Sequence, residues 1–284
     1  MKKKIPLLLY MCCSFFILNA QNTAARFEQL NADFLTPGSS KVLVAAHRGA
    51  HLEAPENSLK GFQHTIDMGI DIIELDVRCT RDGQLVVIHD KTVDRTTNGK
   101  GAVDSFTFEE IRKLRLMFNG KSTDQQIPAL KEALLLAKGK ILVDLDIKTA
   151  SCIDKIIREV KETGTENTCF FFVDEAQHVP MLKQQDSTFR VLFRTNSEEE
   201  AREALSSIKP EAVHIDPSHH TEEMVAFIKQ HGARVWINAL GDVDRKAAAG
   251  NPAAFEEVLS KGVNIIQTDQ PGLLKRYLES TNRH

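Results

Sequence analysis

Short runs of β-branched and apolar residues recur along the chain, most of them separated by a helix-length amphipathic segment, and this alternation limits the fold more than any other feature. The runs lie at Val42 to Ala46, Ile70 to Val77, Leu85 to Ile88, Ile141 to Ile147, Cys169 to Val173, Val191 to Phe193, Ala212 to Ile215, Val235 to Ile237 and Asn264 to Gln267. The intervening segments include Ser58 to Met68, Ser151 to Glu162, Ser197 to Ser207, Thr221 to Gln230 and Pro252 to Lys261. Strand alternating with helix is the pattern of a parallel sheet. Strands that are apolar almost throughout are covered on both faces, as in a barrel wall surrounded by helices. The expected fold class is therefore α/β, a (β/α)8 TIM barrel forming a single domain, with a doubly wound open sheet as its rival. Nine candidate strands compete for eight barrel places, so one of them is an excursion or no strand at all. The 284 residues suit one barrel, a fold that takes about 250 residues.

The two ends of this plan are set by composition. Lys2, Lys3 and Lys4 precede an apolar run from Ile5 to Leu18, followed by Asn19-Ala20, which reads as a secretory signal peptide over residues 1–20 cleaved after Ala20. The run is shorter than the roughly 20 residues of a spanning helix, so no stable membrane insertion is expected after cleavage. Cys12 and Cys13 offer a lipoprotein as a second reading, but Met11 would stand where a small residue is needed. Residues 21–41 form an N-terminal extension, with a helix over Ala24 to Asp33 and a Pro-Gly-Ser-Ser loop, and 42–284 form the barrel domain. The expected location is an exported one, the bacterial periplasm. A net charge of −3 without a Lys/Arg stripe argues against a nucleic-acid partner; oligomeric state is left open. After the signal, Cys79, Cys152 and Cys169 remain, an odd set without close spacing, read as small buried apolar residues.

Four polar clusters fall at the C-terminal ends of early strands, where barrel active sites are assembled: His47-Arg48-Gly49, Glu74-Leu75-Asp76, His89-Asp90 and Asp144 to Lys148. Glu74 and Asp76 are two residues apart in a strand, so their carboxylates share a face. Among Ile70, Ile72, Ile73, Leu75 and Val77, two inward acids repel each other and resist desolvation unless a cation lies between them. Asp144 and Asp146 repeat the pattern, with Lys148 on the same face. One of them joined to the first pair gives three carboxylates around one ion, and oxygen-only ligation points to Mg²⁺ or Ca²⁺. One segment resists this plan. Arg81-Asp82-Gly83 reads as a tight turn, and a hairpin there runs the next strand backwards, sending His89 to the wrong end of the barrel unless the preceding strand bends outward.

AHRG at Ala46 to Gly49, APENS at Ala54 to Ser58, IELDV at Ile73 to Val77 and VVIHDKTVDRTTNGKG at Val86 to Gly101 resemble, in order and spacing, the glycerophosphodiester phosphodiesterase family. The similarity continues through IPALKEAL at Ile127 to Leu134, LDIK at Leu145 to Lys148, VWINA at Val235 to Ala239 and IIQTDQP at Ile265 to Pro271. The resemblance implies a TIM barrel that hydrolyses a glycerol phosphodiester to glycerol 3-phosphate and an alcohol, with two histidines and one divalent cation. It makes His47 and His89 the acid/base pair, Glu74, Asp76 and Asp146 the metal ligands, and Arg48 the phosphate holder, with Lys148 beside it. Asp146 departs from the family's usual Glu; its shorter side chain draws the metal inward or reaches it through water.

In chemical terms His47 is assigned as general base and His89 as general acid, because imidazoles exchange protons near neutrality. The nucleophile is water or the glycerol's neighbouring hydroxyl. Trp236, the single tryptophan, is a candidate to stack on the substrate, with barrel-core filler as its other reading. Asn57 and Ser58 read first as a helix N-cap, and His219 and His220 as exposed loop histidines. Two other functions fit parts of the pattern. A lipid or lysophospholipid phosphodiesterase needs an apolar rim, and a non-catalytic periplasmic binding barrel has no need of two histidines.

Overall fold

The computed structural model of the protein describes residues 22–284; the expected signal peptide, with Cys12 and Cys13, lies outside the described residues. In chain order the strands are β1 (Leu43–Ala46), β2 (Ile72–Cys79), β3 (Leu85–Val87), β4 (Met117–Phe118), β5 (Lys121–Ser122), β6 (Leu142–Ile147), β7 (Cys169–Val173), β8 (Arg190–Thr195), β9 (Ala212–Ile215), β10 (Arg234–Asn238) and β11 (Ile265–Thr268). The helices are α1 (22–34), then α2 (Leu59–Asp67), α3 (Phe108–Ile111), α4 (Leu130–Ala137), α5 (Ile153–Thr163), α6 (His178–Gln185), α7 (Glu198–Ser207), α8 (Glu222–Gln230), α9 (Asp242–Ala248), α10 (Glu256–Leu259) and α11 (Pro271–Ser280). The segment expected as one helix from Pro252 to Lys261 is divided, because a 3-10 turn over Pro252–Phe255 precedes α10.

Eight parallel strands close a barrel in the order β1-β11-β10-β9-β8-β7-β6-β2, with β2 paired back to β1. The strand period of two divides its side chains between two cores. Val44, Ile73, Leu75, Val143, Leu145 and Phe171 point outward into the large cluster shared with the helices. Leu43, Ala45, Ile72, Leu142, Phe170, Leu192 and Trp236 fill the interior. The inward row therefore continues up the barrel through Glu74 and Asp76 on β2, Asp144 and Asp146 on β6, and His47 just past Ala45. Fixed register keeps Glu74 level with Asp144, and Asp76 level with Asp146.

The N-terminal extension closes the opposite end. Phe34 of α1 is fully buried and stacks on Phe170 at 4.8 Å. Arg234, also fully buried, donates to the carbonyls of Asp33, Lys41 and Asn264. Such a guanidinium is tolerated because both of its terminal nitrogens donate to backbone carbonyls. Trp236 lies in the same interior, 1% exposed, edge-on to Phe170 with its indole N–H donating to Asn238 Oδ1. Of its two readings, barrel filler is the one that matches, and the proposed stacking at the mouth is corrected: the ring is enclosed below the rim.

The awkward hairpin is resolved by the length of β2. This strand runs past the rim to Cys79, turns at Asp82-Gly83, and β3 pairs antiparallel with it for three residues, Leu85 opposite Cys79 and Val87 opposite Val77. Ile88 N–H then donates to the Asp76 carbonyl. The chain has come back only to the level of Asp76, so His89 enters the mouth and not the far end. β3 is thus the ninth strand, the entrance to an excursion with its own small core of Val86, Ile88, Val93, Val103, Ile111, Leu116 and Ile127. Cys79 and Cys152 form a disulfide that joins the top of β2 to the start of α5, correcting their reading as unpaired apolar residues; Cys169 is free and buried. Among the described residues no helix is long and apolar enough to cross a membrane.

Candidate active site

Glu74, Asp76 and Asp146 each offer an oxygen, and these atoms lie within 4.8 Å of one another at the barrel mouth. Glu74 is 4% exposed and Asp76 1%. Burial, reinforced by the charges of Asp76, Asp146 and Asp144, pushes the Glu74 carboxyl well above the usual carboxylate range. Burial followed by repulsion from Asp146 raises Asp144 likewise. Burial also raises Asp146, against the pull of Lys148 and with the charge of Asp76 adding to it. Asp76 Oδ1 and Asp144 Oδ1 are buried and accept no hydrogen bond; Lys148 Nζ is 3.2 Å from the former but outside hydrogen-bond geometry. Four acids beside only Lys148 and Arg48 leave the group with an excess of negative charge and with carboxylate oxygens to spare. The donor set suits a divalent cation; Asp146 is the third acid of the convergent group, and Asp144 lies one layer deeper on the same strand.

The cations on the chain are arranged around these acids. Lys148 Nζ donates to Asp146 Oδ2 at 2.6 Å. Arg48 has a left-handed backbone, φ 53°, which turns its amide onto Glu74 Oε2 at 2.8 Å. Its guanidinium lies 3.6 Å from Asp76 Oδ2 and donates to Glu56 at 3.0 Å. The next residue must be glycine: φ is +75°, and a Cβ there would stand 2.8 Å from the Phe62 ring. Asn57 is corrected from cap to site. Ser58 alone caps α2, accepting from Gly61 N–H, while buried Asn57 donates to Asp76 Oδ2 at 2.7 Å.

Each proposed catalytic histidine is held at Nδ1 by a carboxylate. His47 meets Asp269 Oδ1 at 2.7 Å, and His89 meets Asp90 Oδ1 at 2.8 Å. Burial alone would raise Asp269, but the hydrogen bonds from His47 and His51 more than offset it, and its carboxyl is held far below the normal range. The Arg95 guanidinium, followed by burial acting against it and the His89 contact, does the same for Asp90. An ionised carboxylate only accepts, so each neutral ring carries its proton on Nδ1 and leaves the lone pair on Nε2. Arg95 bridges Asp90 to Glu56, and Glu56 in turn holds Arg48. Arg78 donates twice to the His89 carbonyl. The side chains assigned from sequence, Trp236 excepted, therefore come together at one end of the barrel.

Asp269, Glu56, Arg95 and His51 carried no role in the sequence reading. Asp269 had a usable signal, a carboxylate directly after the last barrel strand. Arg95 and Glu56 had none, since their partnership spans 39 residues. His219 and His220 are buried, not exposed: His219 bonds the Thr195 hydroxyl, and burial lowers His220 to about 4.

Three comparisons bear on this arrangement. The model of the glycerophosphoryl diester phosphodiesterase family matches residues 47–273. A curated glycerophosphodiester phosphodiesterase from Caldanaerobacter subterraneus subsp. tengcongensis is 35% identical over 248 residues, covering 82% of this chain and 96% of that one. A glycerophosphoryl diester phosphodiesterase structure from Parabacteroides distasonis superposes with a TM-score of 0.80 at 24% identity, covering 90% of this chain and 92% of the other. An Oleispira antarctica phosphodiesterase, solved with its product sn-glycerol-3-phosphate, gives 0.69 at 22% identity, with 84% and 96% covered. The two structures share the barrel fold.

Proposed function

The chain belongs to the glycerophosphoryl diester phosphodiesterase family, and from that membership we propose that it hydrolyses glycerophosphodiesters to glycerol 3-phosphate and an alcohol, using a divalent cation and two histidines. The observation that carries the reading is the pairing of two carboxylate-anchored imidazoles with a buried three-acid group at one barrel mouth. Proton transfer and charge neutralisation are the two things that cleavage of an anionic diester requires.

Glu74, Asp76 and Asp146 would hold the cation, which would supply electrophilic polarisation of the phosphoryl group. Hard oxygen donors favour Mg²⁺ or Ca²⁺ for that place. Arg48 and Lys148 supply fixed positive charge for the phosphoryl oxygens, Arg48 through its planar fork. His47, with Nδ1–H on Asp269, accepts a proton at Nε2 from the nucleophile, and Asp269 steadies the imidazolium that forms. His89, steadied by Asp90, releases a proton from Nε2 to the departing alkoxide. The nucleophile is water or the neighbouring glycerol hydroxyl, and substrates with and without that hydroxyl separate the routes.

A soluble head-group diester is favoured over a lipid. Among the described residues the exposed large apolar side chains are Leu35, Leu52 and Leu135, and only Leu52 lies on the loop after β1. The mature enzyme is assigned to an exported, periplasmic location. The Lys-led signal supports this, as does the Cys79–Cys152 bond, a linkage that persists in oxidising compartments. The test is a panel of glycerophosphodiesters beside a micellar lysophospholipid, with product identified and Mg²⁺ or Ca²⁺ supplied. Glycerol 3-phosphate released from the soluble diesters supports the assignment; release from the lipid alone moves it to a lipid phosphodiesterase, and no release anywhere to a binding barrel.

A further inference from the structure

Beside the acid group lies a second convergence of donors with a different chemistry. His47 Nδ1 and His51 Nε2 both point at one oxygen, Asp269 Oδ1, at 2.7 and 2.9 Å. The three donor atoms lie within 4.8 Å of one another, and the two rings stand edge to face with centroids 5.9 Å apart. The backbone that carries this carboxylate is anchored, because Asp269 N–H donates to Asp244 Oδ2 at 2.7 Å and Asp244 is 3% exposed. All three side chains remain partly open to solvent, so an ion can enter and keep a free position.

We propose that His47, His51 and Asp269 form an inhibitory site for a borderline-soft divalent ion, Zn²⁺ being the type case. Two imidazoles and a carboxylate make a familiar zinc donor set, whereas the all-oxygen group next to it suits harder ions. Bonds of about 2.0–2.1 Å in tetrahedral geometry place ligand atoms roughly 3.3 Å apart, so the two N···O separations of 2.7 and 2.9 Å need to open by only about half an ångström.

Inhibition follows from the tautomer. A metal on His47 Nδ1 occupies the lone pair created when that nitrogen loses its proton. The neutral ring keeps one proton, which moves through solvent to Nε2. The nitrogen that should accept a proton from the nucleophile then carries one. This consequence rests on the role proposed for His47, but binding itself does not.

The experiment uses the mature chain saturated with Mg²⁺. Zn²⁺ binding is followed by calorimetry, Co²⁺ binding by its visible absorption, and turnover is measured in parallel. His51→Gln removes one ligand outside the proposed proton-transfer pair, and Asp269→Asn removes the shared carboxylate. Wild type is expected to show a Zn²⁺ and Co²⁺ binding event that both variants lose or weaken by roughly tenfold or more, and His51→Gln, whatever its zinc-free rate, is expected to retain that rate at Zn²⁺ levels that stop the wild type. Identical Zn²⁺ binding by wild type and both variants overturns the site. Binding that depends on His51 but leaves wild-type turnover untouched overturns the inhibitory role.

Discussion

Removing the Cys79–Cys152 bond should cost this barrel stability without disabling its chemistry. The two cysteines are 73 residues apart, and closing a loop of that size in the unfolded chain is worth about 4 kcal/mol in the chain-entropy account. For a domain of this size each kilocalorie moves the thermal midpoint by about 2–4 °C, so Cys79→Ala/Cys152→Ala should unfold about 8–16 °C below the oxidised wild type. The site should survive, because β2 and β6 remain paired in register from Ile72 to Val77 and keep Asp76 beside Asp146 without the crosslink. The assay is thermal unfolding of oxidised wild type, reduced wild type and the double variant, with turnover measured at 25 °C. Reduced wild type and the variant should melt together. Coincident midpoints for all three would refute the crosslink's contribution, and loss of turnover in a folded variant would refute the independence of the site.

His47→Gln and His89→Gln should each lower kcat by about 10²- to 10⁴-fold while leaving a Mg²⁺ titration unchanged, since neither belongs to the three-acid group; near wild-type kcat in either variant removes that histidine. Asp269→Asn takes away a charged hydrogen-bond partner worth about 1.5–3 kcal/mol, so kcat should fall by about 10- to 150-fold with KM little altered, and an unchanged kcat contradicts the anchoring role. Burial raises the carboxyls of Glu74, Asp144 and Asp146, so these acids hold protons at pH values where free carboxylates have lost them. A cation must displace those protons, and Mg²⁺ affinity should therefore strengthen as pH rises from about 5 to 8; a flat profile by calorimetry speaks against the group as its site.

The barrel was legible because burial on two faces leaves a signal inside each strand: Ile72-Ile73 and Leu142-Val143 are apolar without interruption. The acids were legible for the converse reason, since Glu74 and Asp76 have no business in such strands without a counter-charge. What escaped depends on partners distant in the chain. Cys79 and Cys152 gave no local spacing, and the third cysteine disguised the pair. Asn57 looks like a cap because it precedes one, and only the fold brings Asp76 to its amide. The direction of His89 turned on how far β2 overruns the rim, a length no turn motif encodes. Trp236 is the middle residue of β10, and a short apolar run does not say how deep the rim lies.

The central claim is that the acid group and the two histidines form one metal-dependent hydrolytic centre. Its most direct test is glycerol 3-phosphate release from a single soluble glycerophosphodiester by purified mature protein, before chelation, after EDTA, and after Mg²⁺ or Ca²⁺ is returned. Release that stops with EDTA and resumes with either cation is the predicted result. Release that continues undiminished after exhaustive chelation would contradict it.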